Sequence, residues 1–297
     1  TTAPHQTYYP HTPRKSPWLI WYENFVWVLR FRELNRYYYI YGLDRKGIRA
    51  SKRVLAYRVF TKVRDRRNLH VGQQKFNYAA LLRDKFVFGQ LLTSLQVPTP
   101  KNIAMLDRQR ITWLNPMHSA SLYTIADSKD IDGFCKKLSG LQGKGAFRLS
   151  VKNSNILIAQ KESTLEELVH RLDGTYLFQE RVKQHAELDR LFPHALNTMR
   201  IVTFNINNTV QVFNAAMRIG TGLSNVDNWG IGGIAVGINL DTGTLRKHGF
   251  YKPKYGRLVD EHPDTKVTFE GFTIPFFKES LEMVMNVHRY FYGLHSI

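Results

Sequence analysis

The sequence predicts an α+β or α/β fold that is preceded by a helical N-terminal region. From about residue 74 onward, segments with apolar residues at helical spacing alternate with short segments rich in Val, Ile and Phe. That alternation is typical of helices interleaved with strands. Upstream, residues 18–41 are rich in Trp and Tyr, with apolar residues at helical spacing. No repeat of fixed period is present, which argues against a solenoid.

Composition excludes several classes of protein. Of the 297 residues, 43% are hydrophobic, enough for a substantial core and unlike a disordered chain. Cys135 is the single cysteine, so no intrachain disulfide can form, which fits a reducing compartment and excludes a Cys-rich zinc site. No stretch of 18 apolar residues occurs, so the sequence predicts no membrane-spanning helix.

The N-terminal part is predicted to be a flexible tail over 1–17 and a helical region over 18–73, because prolines and few aliphatic residues precede an aromatic segment. Five large apolar side chains share one helical face: Trp18, Trp21, Tyr22, Phe25 and Leu29. Trp27 and Phe31 fall on the other side, so the apolar surface is wide. Two interpretations stay open, a helix packed on the protein body and a helix at a membrane interface.

A basic block follows this aromatic segment. Between Arg45 and Arg67 there are ten Lys or Arg against one acid, Asp65, which accounts for half of the formal charge of +18. Such a block attracts nucleic acid, anionic lipid headgroups or an acidic glycan. The alternative is a solvated helical face that keeps the protein in solution.

The remaining chain predicts the following order of elements. Residues 74–96 predict a helix, which two nearby prolines end. A second helix is expected from Ser163 or Thr164, whose side chains suit an N-cap, and a last one over 275–293. Strands are expected at NIAML, RITWL, SNILIAQ, TYLFQERV, NTMRIVTFN, TVQVFNAAMRIG and GIAVGINL.

The sharpest local motif is SGLQGKGAF at 139–147, where Gly140, Gly143 and Gly145 surround Lys144. Glycines let backbone N–H groups approach phosphate oxygens, and the lysine adds a mobile charge. The motif lacks the spacing and the Ser or Thr of a P-loop. A turn-rich loop without a ligand remains the alternative.

Four basic side chains lie in otherwise apolar patterns. Lys85 is in a predicted helix and Lys136 precedes the glycine-rich loop, and both either meet an anion or extend to solvent. Arg200 and Arg218 lie in predicted neighbouring strands, where two guanidinium groups could bind one phosphate. The loop NVDNWGIGGIA, which contains Asn228, either lines a polar site or is a plain hairpin.

Several other catalytic classes lack their motifs in this sequence. There is no Gly-x-Ser-x-Gly, no His-Glu-x-x-His and no zinc spacing of Cys and His. The aromatic residues do not form the strand motif of an RNA-recognition domain, so no specific nucleic acid is expected as a partner.

Taken together, these motifs resemble the ATP-grasp superfamily. RDKFVFGQLLTSLQVPTP resembles the opening of an ATP-grasp domain, and FCKKLSGLQGKGAF resembles its lysine-bearing strand and flexible phosphate loop. YLFQERV resembles the strand against which adenine packs, and NTMRIVTF…AAMRIG…VDNWGIGGIA resembles the lobe that holds the terminal phosphates. YYYIYGLDRKG, QERVKQHAELDRLFPHALNTMRIVT and HPDTKVTFEGFTIPFF resemble the sugar-transfer-associated group, which is related to α-L-glutamate ligases.

The resemblance, which covers roughly residues 37–297, implies an α+β fold with two lobes that clasp ATP. The N-terminal and lid subdomains would span 74–178, and the C-terminal lobe 179–297. By motif position, Lys85 and Lys136 would contact the α- and β-phosphates of ATP. Three loop residues would close over the β- and γ-phosphates: Gly143, Lys144 and Gly145.

The resemblance also assigns residues to the rest of the nucleotide. Glu180 and Val182 would give backbone contacts to adenine, with Glu180 as the hinge acid, and Glu187 would bind the ribose hydroxyls. Three further residues would face the γ-phosphate and a developing acyl phosphate: Arg200, Arg218 and Asn228.

The implied activity is ATP- and Mg²⁺-dependent ligation of a carboxylate to an amine through an acyl phosphate, with release of ADP and phosphate. By resemblance, the pathway is the biosynthesis of surface polysaccharide or another cell-envelope glycan. The expected substrates are a small carboxylate and an amine or sugar-linked molecule. We expect a cytoplasmic protein, with peripheral contact to an anionic membrane at its inner face or to an acidic glycan.

The sequence departs from the family pattern in two places. The lysine–proline pair of the family's strand is Lys136-Lys137 here, and the loop is GLQGKG, with fewer glycines. The Gly-Trp-Asp strand and the Glu-x-Asn motif that hold magnesium in the family would follow Ile297, so we expect the native chain to continue. The alternatives are a nucleotide-binding relative without turnover and a basic protein that binds nucleic acid or another anionic surface.

Overall fold

The structure of the protein, a computed structural model, describes residues 7–49, 54–69, 78–128, 130–138, 140, 145–222 and 227–297. The chain forms two compact units. The first unit combines Thr1–Phe76 with Gln184–Ile297, and the second unit is Asn77–Lys183. The predicted domains divided the chain differently, at residues 73/74 and 178/179, and treated the N-terminal region as separate from the C-terminal lobe.

The second unit is built on an eight-stranded antiparallel sheet in the order β3-β2-β1-β8-β4-β5-β6-β7. Its strands are β1 Asn102–Leu106, β2 Arg110–Leu114, β3 Met117–Ser121, β4 Ile131–Lys137, β5 Phe147–Lys152, β6 Asn155–Ile158, β7 Lys161–Ser163 and β8 Tyr176–Glu180. Its helices are α3 Tyr78–Leu81, α4 Lys85–Ser94 and α5 Leu165–Arg171, with a 3-10 turn at Leu122–Asp127. The core packs against one face of this sheet and includes Leu106, Ile125, Leu149, Leu168 and Phe178.

Two local signals in the second unit show how sequence defines element ends. Thr164 caps α5, because its hydroxyl accepts the Glu167 N–H and the Glu167 carboxylate accepts the Thr164 N–H. The prediction of one continuous helix over 74–96 is wrong, because the described part of that range contains two helices, α3 and α4. Asp84 accepts the N–H groups of Phe86 and Val87 and so begins α4 as a new helix after α3.

The first unit contains a five-stranded antiparallel sheet in the order β13-β12-β11-β10-β9. Its strands are β9 Thr198–Ile206, β10 Thr209–Ile219, β11 Ile234–Ile238, β12 Leu245–Tyr251 and β13 Leu258–Val259. Its helices are α1 Pro17–Phe31, α2 Tyr57–Leu69, α6 Ala186–Leu191 and α7 Phe277–Tyr290, with a 3-10 turn at Trp229–Ile231. Alternate residues of β10 and β11, such as Met217, Ile219 and Val236, face a core that Phe269 and Phe277 complete.

The segment before α1 packs on the sheet of the first unit. The Tyr8 hydroxyl donates to the carbonyls of Tyr251 and Gly256, at 3.1 and 3.3 Å, and the Tyr8 ring stacks on Phe250. Lys15 is also buried. Residues 8 and 15 therefore differ from the predicted flexible tail, because both side chains are buried and Tyr8 is also fixed by hydrogen bonds and ring stacking.

The aromatic helix is shorter than the segment 18–41 that predicted it. α1 ends at Phe31, because Arg32 has a left-handed backbone with φ of 52° and its N–H donates to the Val28 carbonyl. At the other end of the chain, residues 295–297 pair with the outer edge of β9 through Thr203 and Asn205.

Candidate functional site

Lys85 is the first residue of α4, and its ammonium lies where the glycine-rich segment begins. Its Nζ donates to the carbonyls of Lys137, Leu138 and Gly140, at 2.8, 3.1 and 2.6 Å. These bonds use the three N–H donors of the group. Lys85 therefore fixes the backbone at the end of β4, and a direct phosphate contact would have to replace one of these carbonyls.

Lys136 lies on β4, and its side chain reaches across to the central strand β8. Its Nζ donates to Oε1 of Gln179 at 3.1 Å, and Nε2 of Gln179 donates to Oδ1 of Asn102 at 2.8 Å. Gln179 is buried. This chain of polar side chains crosses three neighbouring strands and sets the direction of the Lys136 ammonium.

The surroundings of the two lysines disfavour their charged forms. Burial lowers the pKa of Lys85, and the nearby carboxylate of Asp84 opposes that shift. Burial is also the larger cause of the lowered pKa of Lys136, and the positive charge of Lys85 adds to it. In the described part of the chain, neither Nζ has a carboxylate at ion-pair distance. A bound anion would therefore stabilise both ammonium groups.

The glycine-rich loop is described in part. Gly143 and Lys144 lie outside the described residues. Gly145 has φ of +75°, and a Cβ there would lie 3.3 Å from the hydroxyl oxygen of Tyr176. The left-handed backbone and this close approach both favour glycine at this position.

The residues expected to hold the nucleoside belong to both units. Glu180 ends β8, with an exposed side chain and an N–H that donates to the Lys101 carbonyl at 2.8 Å. Val182 is exposed near the end of the second unit. Glu187 belongs to α6 in the first unit, where its carboxylate accepts from Arg190 at 2.7 Å.

Arg200 and Arg218 lie on one face of the sheet in the first unit. In the β9–β10 pair, Arg200 is opposite Ala216 and Arg218 is opposite Thr198. Since residues two apart on a strand share a face, both guanidinium groups project from the face opposite the core. The Thr198 hydroxyl accepts from Nη2 and Nε of Arg218, at 2.7 and 3.1 Å.

A carboxylate completes the Arg218 cluster. The Thr198 hydroxyl donates to Oδ2 of Asp227, and the same oxygen lies 3.5 Å from Nε of Arg218. Burial raises the pKa of Asp227, while Thr198 and Arg218 oppose the shift. The next residue, Asn228, caps the 3-10 turn with its side chain, which accepts the Gly230 N–H at 2.7 Å. Arg218 is therefore held rigidly, whereas the side chain of Arg200 is exposed.

A groove of about 610 Å³ lies against the same sheet. Its floor includes Ala216 and Gly237, which face each other across β10 and β11. Cationic residues line the side formed by β12: Arg246 and Lys247, followed by His248. Tyr9 of the N-terminal segment also lines the groove, and its ring is covered by the Arg45 guanidinium at 4.3 Å. The groove combines a floor of small residues with positive charge, which suits an anionic molecule.

The site residues are divided between the units. Five of those that the structure describes belong to the second unit: Lys85, Lys136, Gly145, Glu180 and Val182. Four belong to the first unit: Glu187, Arg200, Arg218 and Asn228. The structure brings Lys85 together with Lys136 in the second unit, and it places Arg200 and Arg218 on a common face in the first.

Sequence reasoning missed two supporting residues, Gln179 and Thr198. Thr198 lies two residues before Arg200 in an alternating strand, and that spacing was the available signal. The role of Gln179 could not be predicted in this way, because the sequence of β8 does not show which residues of the neighbouring strands its side chain contacts.

Two further properties bear on function. Across the described ranges, no group of three or more His, Cys, Asp or Glu side chains gathers as metal ligands would. None of the helices in those ranges has the length and apolar character that a membrane crossing requires.

Comparison with known protein families supplies the identity of the fold. Residues 66–297 match the model of the family described as sugar-transfer associated ATP-grasp, which covers more than three quarters of the chain. The comparison with curated proteins gave no match, and neither did the comparison with solved structures. The chain belongs to the sugar-transfer associated ATP-grasp family.

Proposed function

We propose that the protein is an ATP-dependent ligase that joins a carboxylate to an amine through an acyl phosphate. Members of the ATP-grasp family are generally ATP-dependent ligases that use ATP and Mg²⁺. The observation that carries the proposal is the pair Lys85 and Lys136 beside the glycine-rich loop. Lys136 is partly desolvated and has only an amide oxygen as partner, so it favours a polyanion such as a triphosphate, and Lys85 adds a second positive charge while its ammonium holds the loop backbone.

The reaction proceeds in two balanced steps. A carboxylate oxygen of the first substrate attacks the γ-phosphorus of ATP, and the bond from that phosphorus to the ADP oxygen breaks. The amine of the second substrate then attacks the acyl carbon, and inorganic phosphate leaves. The new amide nitrogen releases its proton to solvent. Phosphorylation supplies the leaving group that a free carboxylate lacks.

The chain's own residues would act mainly by position and charge. Lys136 is aimed by Gln179 and would neutralise phosphate oxygens, while Lys85 holds the start of the loop. Arg218 is fixed by Thr198 and Asp227, so its guanidinium costs little reorganisation when charge develops on the transferred phosphoryl group. Arg200 would contribute a second, more mobile guanidinium.

The groove lined by Ala216, Gly237 and Arg246 is the proposed acceptor region. It lies on the same sheet as Arg218, and its positive lining suits an acidic sugar or a carboxylate on a glycan precursor. The family description refers to sugar transfer. We therefore propose a role in surface-polysaccharide or cell-envelope glycan biosynthesis. Because the reaction needs ATP, we place it in the cytoplasm.

Magnesium would neutralise phosphate charge during the reaction. Among the residues that the structure describes, no three His, Cys, Asp or Glu side chains gather as metal ligands, and Mg²⁺ on a nucleotide needs only one or two carboxylates besides the phosphate oxygens. The second candidate is a nucleotide-binding protein without turnover.

Release of ADP separates these two candidates. Purified protein is incubated with ATP, Mg²⁺ and pools of carboxylates, amines and acidic sugars, and ADP is measured by a coupled assay. The ligase proposal predicts ADP release that requires an acceptor and is lost in Lys136→Met. The exposed Lys161→Met, on the short strand β7, is the matched control and should keep full activity. Saturable ATP binding without ADP release in any pool would favour the second candidate.

A further inference from the structure

The helix α1 presents an unusually apolar face to solvent. Trp18 is 72% exposed, Trp21 56% and Leu29 64%. Tyr22 and Phe25 are also exposed and complete the same stripe, since these positions follow helical spacing. We call the five residues the aromatic face.

The rings of the aromatic face stack on one another. Trp18 and Trp21 meet edge to face with centroids 5.1 Å apart. Trp21 and Phe25 are nearly parallel, with centroids 5.3 Å apart. Large contiguous apolar patches on a protein surface usually mark an interaction site.

The opposite side of α1 anchors the helix to the protein. Trp27 is 6% exposed and its ring packs against Phe31 at 4.7 Å. Both carboxylate oxygens of Glu23 accept from Nζ of buried Lys15 at 2.7 Å, and the Tyr38 hydroxyl donates to the same carboxylate. The aromatic face is thus presented by a helix with fixed orientation, and the single acid of α1 is already neutralised.

The N-terminal sequence that contains this face is strongly basic. Residues 7–69 contain fifteen Lys or Arg against four Asp or Glu. Glu33 links α2 to the end of α1, because its carboxylate accepts the N–H groups of Tyr57 and Arg58 at 2.7 and 3.1 Å. α2 itself bears five cations and one acid: Arg58, Lys62, Arg64, Arg66 and Arg67, with Asp65. The basic helix α2 therefore begins close to the point where the aromatic helix α1 ends.

We propose that α1 and α2 dock on the surface of an anionic phospholipid bilayer. The aromatic face inserts at the level of the headgroups, and the cations of α2 contact lipid phosphates. Trp and Tyr favour this depth because their rings are apolar while their N–H and O–H groups remain hydrogen-bonded. A helix of 15 residues, about 22 Å long, lies in the interface plane in this arrangement.

Charge argues for lipid over a second copy of the chain. Pairing two aromatic faces would bring two strongly basic regions together, and like charges oppose such contact. A bilayer with anionic headgroups matches both the apolar stripe and the positive charge around it. Docking is independent of ATP, so this proposal stands or falls separately from the ligase activity.

The test is sedimentation with vesicles at low salt. One set contains phosphatidylcholine and phosphatidylglycerol in equal parts, and the other contains phosphatidylcholine alone. The parent protein should bind the anionic vesicles, bind the neutral ones at least tenfold more weakly, and lose affinity as salt rises. Its Trp fluorescence should shift to shorter wavelength with the anionic vesicles and be quenched by brominated lipid.

The double variant Trp18→Ser/Trp21→Ser separates insertion from simple charge attraction. Both side chains are exposed, so the fold should persist, which circular dichroism checks. We expect affinity for anionic vesicles to fall at least tenfold. Tyr123→Ser, which removes a ring that is 60% exposed in the second unit, should bind like the parent. Failure of the parent to bind anionic vesicles would overturn the proposal, and so would a double variant that binds as tightly as the parent.

Discussion

Arg218 has a fixed guanidinium group that suits its proposed role of stabilising charge on the transferred phosphoryl group. Thr198 accepts two of its N–H groups, and Asp227 holds it by charge. Lysine keeps the charge but cannot keep the forked donor geometry. We expect Arg218→Lys to lower kcat for ADP release about 100-fold, a loss typical for one preorganised charge donor.

The Arg218→Lys comparison needs a control and a readout of folding. Arg110→Lys, at an exposed position that begins β2, should leave kcat unchanged. Thermal unfolding of both variants should stay within a few degrees of the parent. Parent-like turnover in Arg218→Lys would remove Arg218 from the catalytic site.

At the residue scale, sequence predicts which side chains matter better than what they contact. Lys85 was singled out because a lysine in an apolar helix needs an anion or solvent. In the structure the Lys85 ammonium donates to three backbone carbonyls instead. The residue type alone does not predict this arrangement. Those carbonyls belong to residues more than fifty positions away, so the contact depends on the fold.

The helix α5 offers a clean test at the scale of one element. Thr164 and Glu167 form a reciprocal capping box at its N-terminus. Thr164→Ala removes one partner, and the expected cost is about 1 kcal/mol of unfolding free energy. Differential scanning calorimetry should show a Tm lower by roughly 2–4 °C.

The neighbouring Ser163→Ala is the control for Thr164→Ala. Its hydroxyl donates to the Lys161 carbonyl and takes no part in the cap. Its Tm should stay close to that of the parent. An equal loss in both variants would show that the capping box contributes nothing specific.

The elements themselves were largely predictable because their signals are local. Strong alternation predicted β9, β10 and β11, and the threonine cap predicted α5. Errors arose where one residue interrupts a regular pattern. Asp84 restarts a helix that apolar spacing alone extends without a break, and the left-handed Arg32 ends α1 ten residues before the aromatic segment does.

Two buried histidines lead us to expect that mild acid destabilises the first unit. His262 donates from Nε2 to the Gly220 carbonyl, and its Nδ1 accepts the N–H groups of Asp264 and Thr265. His288 donates from Nε2 to the Leu294 carbonyl and accepts the Thr203 hydroxyl at Nδ1. Both side chains are fully buried, and an imidazole that donates from one nitrogen and accepts at the other is neutral.

Burial lowers the pKa of His262 and of His288 below the usual value, and the carbonyl acceptors oppose the shift only in part. The unfolded state therefore takes up protons first as pH falls. The contribution of the two neutral histidines to the free energy of unfolding is therefore fully present above about pH 6.5, and it is lost as the pH decreases below that value. Denaturation by urea at pH 7.5 and 5.5 should show lower stability at pH 5.5.

Substitution identifies the residues behind that pH dependence. His288→Asn should be less stable than the parent at pH 7.5 and should lose part of the decrease toward pH 5.5. The exposed His118→Asn should keep the parent profile. A profile in His288→Asn that parallels the parent would show that this imidazole does not contribute.

At the scale of the whole molecule, local sequence signals predict less. The first unit joins residues near the N-terminus to the C-terminal sheet, as when Tyr8 bonds to Tyr251 and Asn68 accepts the N–H groups of His295 and Ser296. Contacts across more than 200 residues leave no periodicity in the sequence. The family resemblance predicted the fold class, but it did not predict that the N-terminal segment would pack on the sheet.

The central claim is that this chain binds ATP through Lys136, and the most direct test is the change in unfolding free energy on adding ATP with Mg²⁺. At about 100 times the dissociation constant, ATP should stabilise the folded parent by roughly 2.7 kcal/mol. Lys136→Ala should lose that stabilisation, while Lys161→Ala should keep it. A parent protein whose stability does not change with ATP, or a Lys136→Ala variant stabilised as much as the parent, would contradict the account.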